Sequence, residues 1–150
     1  MVTPVEELPN ELGEAWNELS SGRDARRLRK HLPVLRRSIL QTAKLEGSLR
    51  ERFGARQAEL VDPETRTEAR AKLVSSVQLH ALSIDSILKV FSALSADSQA
   101  AVQKILEWVL NHVVSVLTAF ADQLALESWS VAVTGSFPPA ISFTITLTFH

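Results

Sequence analysis

The chain has 150 residues, of which 45% are hydrophobic and 22% are charged. This length and balance are typical of one globular domain and argue against disorder as the general state. There is no cysteine, which excludes disulfides and thiolate metal sites. The opening stretch MVTPVEELPN has neither a basic segment nor a long apolar one, so no signal peptide is predicted and a cytoplasmic location is expected.

The formal net charge of -1 hides a sorted distribution of charge. Residues 1–22 carry five glutamates and no base, whereas residues 23–72 carry fourteen Lys or Arg against seven acids. Residues 73–127 hold two bases and five acids, and residues 128–150 hold no Lys, Arg, Asp or Glu. Such asymmetry suggests that the acidic and basic blocks pack together or that the chain has a directional partner surface.

Two helices are predicted in the acidic and basic blocks. The first covers about residues 9–19 and should bury Val5, Leu8, Leu12, Trp16 and Leu19. The second covers residues 23–53, and its single heptad stripe consists of Leu28, Leu32, Leu35, Ile39, Leu49 and Phe53, with Thr42 and Glu46 at the two polar positions. Pro33 predicts a kink or break near His31, and Gly54 a C-terminal stop.

A third helix is predicted to start at the cap Asp62 and at Pro63, and to reach about Leu94. Its heptad stripe consists of Leu73, Val77, His80, Ile84, Ile87, Phe91 and Leu94. Apolar residues off this stripe give the helix a second apolar side, which is typical of a central helix or an interface; they are Leu79, Leu82 and Val90.

A fourth helix should be capped by Ser95, Asp97 or Ser98 and should reach about Glu127. Its broad apolar arc predicts the core helix. Its narrow polar line consists of Lys104, Glu107, Asn111, Ser115, Thr118 and Asp122.

The period of the sequence changes from 3.6 to 2 after this helix. The last residues, AISFTITLTFH, alternate strictly, with Ile141, Phe143, Ile145, Leu147 and Phe149 on one side. This pattern predicts a β-hairpin whose apolar face docks on the fourth helix. The predicted fold is therefore mainly α (α+β): one domain over residues 1–150, with an antiparallel bundle of about four helices over 9–127 and a C-terminal β-hairpin over 128–149.

The sequence lacks the usual motifs of catalysis. It has no GxSxG elbow, no glycine-rich phosphate loop and no pair of histidines at metal-ligand spacing, so no enzyme activity, cofactor or metal site is predicted. His80 occupies an apolar position and could be a pH sensor or a general base. The favoured interpretation is a core-edge histidine bonded to a carbonyl or a hydroxyl.

A cationic face is predicted on the second helix, opposite its leucine stripe. The residues predicted to bind an anion or a partner there are Arg26, Arg27, Lys30, Arg37 and Lys44. The run has no interleaved aromatic residues and no DNA-binding motif. A solvated face is favoured, ahead of an acidic protein or anionic lipid and then of nucleic acid.

The favoured function is a non-enzymatic helical interaction or assembly module that self-associates, or binds a protein partner, through the edge of its hairpin. The alternatives are a membrane-active protein that inserts its amphipathic hairpin as an oligomer, an anion or nucleic-acid binder that uses the basic helix, and an enzyme of unrecognised type. The predicted interface residues are Ser142, Thr144, Thr146, Thr148, Phe137, Leu79, Leu82 and Val90.

Overall fold

The computed structural model describes residues 8–54, 57–134 and 142–149, and this part of the chain is mainly helical, as predicted. Its helices are α1 (Gly13–Ser21), α2 (Ala25–Leu28), α3 (Leu32–Phe53), α4 (Pro63–Leu88) and α5 (Ala96–Phe120). Short 3-10 turns lie at Asn10–Leu12, Ala58–Leu60 and Phe91–Ala93. Two strands follow, β1 (Leu126–Thr134) and β2 (Ser142–Phe149). The description includes only the backbone of residues 58, 127, 129–134 and 142–145.

The first predicted helix is a 3-10 turn that continues into α1. Leu12 and Leu19 are buried, and Trp16 is half-buried, so the predicted apolar side is confirmed over these residues. Gly22 is the C-cap of the helix, and a larger residue does not fit there because a Cβ would overlap the carbonyl oxygen of Glu18. Val5 lies outside the described residues.

The predicted break near His31 is confirmed. Pro33 has no amide proton to donate to the carbonyl of Arg29, so α2 ends at Leu28 and α3 starts anew at Leu32 with the proline in its first turn. Its end at Gly54 is confirmed too, because Gly54 has φ 60°, which glycine adopts without steric cost.

The buried side of α3 differs from the prediction at one step. Leu45 is buried there, whereas Glu46 is only half-buried and its carboxylate accepts from Arg50 Nη2 at 2.7 Å. A straight helix advances by 3.6 residues per turn, so a strict heptad drifts across its face. Thr42, the other polar position of the stripe, is fully buried.

The start of α4 is confirmed, but its end is not. Asp62 Oδ1 accepts from the Thr65 amide at 2.8 Å, which is the geometry of an N-cap. The helix stops at Leu88 rather than near Leu94, and a 3-10 turn begins at Phe91. This 3-10 turn buries Phe91 and leads directly to Ser95, the N-cap of α5.

The predicted extension of α5 to Glu127 is wrong. The helix ends at Phe120, and the chain is already extended at Leu126. The Leu126 amide donates to the Ala121 carbonyl at 2.9 Å and the Ala125 amide to the Asp122 carbonyl at 3.0 Å. With Ala125 at φ 55°, this pairing is a Schellman closure built without glycine. The polar line of α5 is exposed as predicted, and Ser95 is its cap.

The helices pack with α3 along α4, and with α5 against α1 and α3. The core lies between them, where the rings of Phe53 and Phe120 are 6.1 Å apart. Strands β1 and β2 pair antiparallel, with Trp129 opposite Leu147 and Thr134 opposite Ser142. Among the described contacts the main helical neighbour of β2 is α4. The prediction placed the apolar face of the strand on the last helix, and most side chains of that face lie outside the described residues.

Candidate functional site

A buried polar cluster joins α3 to α4 around His80. Ser38 Oγ lies 2.5 Å from His80 Nδ1, and Thr42 Oγ1 lies 2.7 Å from His80 Nε2. Thr42 Oγ1 also donates to the carbonyl of Ser38 at 2.8 Å. Of the two kinds of partner predicted for His80, a carbonyl or a hydroxyl, the structure shows the hydroxyl, and there are two of them.

Proton counting assigns the tautomer of His80. The hydroxyl proton of Thr42 is used on the Ser38 carbonyl, so Thr42 Oγ1 must accept from His80 Nε2–H. Nδ1 is then left to accept from the hydroxyl of Ser38. Burial lowers the pKa of His80 from 6.5 to about 4, which leaves a neutral ring at neutral pH.

The cluster contains a hydroxyl in contact with a base, but both are buried and a substrate cannot contact them. Ser38 is 1% exposed, and Thr42 and His80 are 0% exposed. Further along α4, Ser76 and Ser83 are buried on the same side as His80. Ser38, Thr42 and His80 thus form a hydrogen-bonded polar contact between α3 and α4, whereas the buried Ser83 Oγ has no hydrogen-bond partner in the described part of the chain.

The predicted cationic face is on the surface, but its members differ in what they contact. Arg26, Lys30, Arg37 and Lys44 are exposed. Arg27 is exposed as well, but its Nη1 donates to the carbonyl of Ala93 at 2.5 Å. It therefore holds α2 against the connection between α4 and α5.

Asp24 contributes a second bond at the same place. Its Oδ2 accepts from the Ser95 amide at 2.8 Å. That backbone bond, followed by side-chain bonds from Ser95 and Ser98, lowers the pKa of Asp24. Arg27 and Asp24 thus attach α2 to the segment that leads into α5. The position of Arg27 in a basic run does not reveal this structural role.

A concave surface runs along α3 and continues under α1 and α2. One cavity, of about 410 Å³, is lined by Pro33, Arg36, Arg37, Leu40, Gln41 and Lys44. The next, of about 540 Å³, shares Pro33 and Arg36 and adds Trp16, Ser20, Ala25, Arg26, Arg29 and Leu32. We call the two together the basic groove, because its lining combines five cationic side chains with apolar ones.

Sequence reasoning missed several residues of the basic groove. It judged the basic run to be without aromatics, yet Trp16 reaches it from α1. Arg29 and Arg36 also line the groove, although neither was among the selected residues. Leu40 lies two turns after Pro33, so the two residues share one face of α3. This spacing could have indicated an apolar surface beside the arginines.

The described hydrogen bond made by an acidic side chain of the N-terminal block goes to α5 rather than to the basic groove. The carboxylate of Glu11 accepts from Trp108 Nε1 at 2.9 Å, on α5. The ring of Trp108 in turn stacks on His112, with centroids 4.3 Å apart. Two salt bridges of α3 involve Glu46 and Glu68 rather than an acid of α1.

The base of the two-stranded sheet is held by α4. Arg70 Nε donates to the carbonyl of Leu124 at 2.8 Å, its Nη2 donates to that of Ala125 at 3.2 Å, and its guanidinium lies 4.5 Å from the ring centroid of Phe149. Arg66 Nε donates to the carbonyl of Gln123 at 3.1 Å. Partial burial, and then the charge of Arg66, lower the pKa of Arg70. These bonds satisfy carbonyls that the end of α5 leaves without helical partners.

The structure describes the side chains of five of the eight predicted interface residues. Thr146 and Thr148 are exposed on β2, and Leu82 is 65% exposed on α4. Leu79 is half-buried, and Val90 packs against the core. Phe137 lies outside the described residues, as do the side chains of Ser142 and Thr144.

Residues 8–54, 57–134 and 142–149 contain no group of three or more His, Asp or Glu arranged to hold a metal ion. Within the same ranges no helix combines the length and the apolar character needed to cross a bilayer. The sequence matches no protein-family model, and searches of curated proteins and of solved structures found no significant match.

Proposed function

We propose that this protein is a non-enzymatic interaction module that self-associates, or binds a protein partner, through the edge of its C-terminal β-hairpin. In this proposal an antiparallel bundle of about four helices carries the hairpin. One observation supports it above the others: the sheet has two strands, and in the described part of the chain neither strand has a second neighbour. Each strand therefore has an outer edge whose backbone groups are available to another strand.

The composition of β2 favours pairing at its edge. The strand SFTITLTF contains no charged residue and no proline, which are the usual means of preventing edge-to-edge contact. Thr146 and Thr148 expose hydroxyl-bearing, β-branched side chains that fit a sheet surface. By contrast, β1 includes Glu127. The β2 edge is thus the better template.

The attachment of the sheet also suits an interaction element. Leu126 and Leu147 pack against the core, and Arg70 holds Phe149 and the preceding carbonyls. A strand anchored at its base loses less conformational entropy on association than an unanchored one.

The test compares proline substitutions at neighbouring positions of β2. Successive amides of a strand point to opposite edges, so Thr146→Pro and Ile145→Pro remove one outward donor and one donor directed at β1. Light scattering coupled to size-exclusion chromatography should show concentration-dependent association of the unmodified chain. The variant without the outward amide should associate at least about tenfold more weakly and keep its helical circular dichroism.

Two results would contradict the proposal. A chain that stays monomeric up to about 1 mM and pairs with no added β2-sequence peptide has no functional edge. Leakage of dye from liposomes by the unmodified chain, with no association in solution, would favour the membrane-active alternative instead.

A further inference from the structure

We infer that the basic groove binds an acidic, amphipathic helix of a protein partner. This surface is lined by residues of α1, α2 and α3, and neither β1 nor β2 contributes to it. The inference is therefore independent of the proposed hairpin edge.

The charge of the basic groove defines the first property of its ligand. Its cationic side chains are Arg26, Arg29, Arg36, Arg37 and Lys44, and no Asp or Glu is among the described lining residues. In the part of the chain that the structure describes, Arg26, Arg29 and Arg37 make no side-chain hydrogen bond or ion pair. Each planar guanidinium can therefore donate two hydrogen bonds to one carboxylate in a bidentate pair.

The apolar part of the lining defines the second property. Trp16, Leu32 and Leu40 are half-buried and contribute to the same concave surface as the arginines. A ligand that offers only anionic groups would leave this apolar surface in water. A ligand with one apolar stripe and acidic flanks covers the apolar side chains of the groove and pairs its carboxylates with the arginines. An amphipathic helix bound in a groove has this arrangement.

Two other polyanions fit less well. Single-stranded nucleic acid binds through a series of aromatic side chains that stack on successive bases, and Trp16 is the single aromatic residue of this lining among the described residues. An anionic bilayer presents a broad surface, which would meet the projecting arginines but could not reach the concave apolar surface. An amphipathic helix satisfies both features of the groove.

The dimensions of α3 set the length of that helix. The segment from Leu32 to Lys44 spans about 18 Å at 1.5 Å per residue. A partner helix of about 12 to 15 residues, or three to four turns, would match this span and the cavity at its end.

The experiment uses the full chain and two synthetic peptides of identical composition. One peptide of about 15 residues places Leu and Phe at helical spacing with Glu on both flanks, and the other has the same residues in scrambled order. Fluorescence anisotropy of the labelled peptides should give at least about fivefold tighter binding for the amphipathic order. Its affinity should fall when salt is raised from about 50 to about 300 mM.

Charge and shape are then tested separately with matched variants. The double variant Arg26→Gln/Arg37→Gln should weaken binding at least about tenfold, while Lys89→Gln/Lys104→Gln, which removes the same charge elsewhere, should change it less than about twofold. Leu40→Gln should weaken binding at least about fivefold, whereas Leu82→Gln, at a more exposed leucine outside the groove, should not. Unchanged melting curves exclude loss of folding as the cause.

Three outcomes would overturn the inference. Equal binding of the ordered and scrambled peptides, or equal losses in the two charge variants, would reduce the groove to general electrostatic attraction. Tighter binding of oligothymidylate or of phosphatidylserine vesicles than of the peptide would assign the groove to a different class of ligand. Absence of binding at about 1 mM peptide would leave the groove without this function.

Discussion

Acidification should destabilise this protein through His80, because folding lowers the pKa of its ring from 6.5 to about 4. Between these two values the unfolded chain binds a proton that the folded chain excludes. The stabilising contribution is therefore complete above pH 6.5 and is lost progressively as the pH falls towards 4. The full difference corresponds to about 3 kcal/mol, and about 2 kcal/mol of it should be lost by about pH 5.

The geometry of the cluster explains why the proton is excluded. A protonated ring would have two N–H donors, but Nδ1 faces the hydroxyl of Ser38 at 2.5 Å, which donates to it in the neutral state. No carboxylate is among the hydrogen-bond partners of His80 in the described part of the chain. Protonation would require the Ser38 hydroxyl to turn and accept, and the charge would be buried without a counterion.

Urea denaturation followed by far-UV circular dichroism, at a series of pH values between about 4.5 and 7.5, measures this effect. His80→Gln removes the titrating group and should flatten the pH dependence by about 2 kcal/mol between about pH 7 and 5. His112→Gln removes a half-buried histidine and keeps His80, so it should retain the unmodified slope. If His80→Gln and the unmodified chain lose stability in parallel, the buried ring is not the cause.

Two further predictions concern α5 and its end. Ala125→Gly should raise the free energy of unfolding by about 1 kcal/mol, since Ala125 has φ 55°, whereas Ala119→Gly in the exposed part of the helix should lower it by about as much. Equal destabilisation by the two glycines in urea titrations would argue against the left-handed closure. Phe120→Ala should lower the free energy of unfolding by about 3 to 5 kcal/mol through the cavity it leaves beside Phe53. Asn111→Ala, at an exposed position, should lower it by less than about 0.5 kcal/mol. Equally mild effects of the two would refute the burial of this helix.

Local signals in the sequence were sufficient for the starts of the long helices and for their buried sides. Asp62 before Pro63, and Ser95 before the apolar arc, predict caps because their oxygens accept from amides only three residues away. Pro33 predicts the break between α2 and α3 for a similarly local reason, the missing amide proton. His80 could be assigned a carbonyl or a hydroxyl partner, although Ser38 and Thr42 could not be named.

Helix ends were less predictable. The closure after Phe120 uses an alanine at φ 55°, where glycine is the usual signal. Its stabilisation comes from Arg66 and Arg70 on α4, more than fifty residues earlier, which donate to the freed carbonyls. No pattern around residue 125 contains that information.

The sequence by itself thus determined a helical chain with a cationic face along α2 and α3 and an alternating C-terminal strand. Tertiary structure alone decided that Arg27 is held by the carbonyl of Ala93 and that Trp16 joins Arg26 and Arg36 in one groove. The physical reason is the range of the interactions. Caps and periodicity act within one or two turns of the chain, whereas a binding surface is assembled from side chains that only the packing of separate helices brings together.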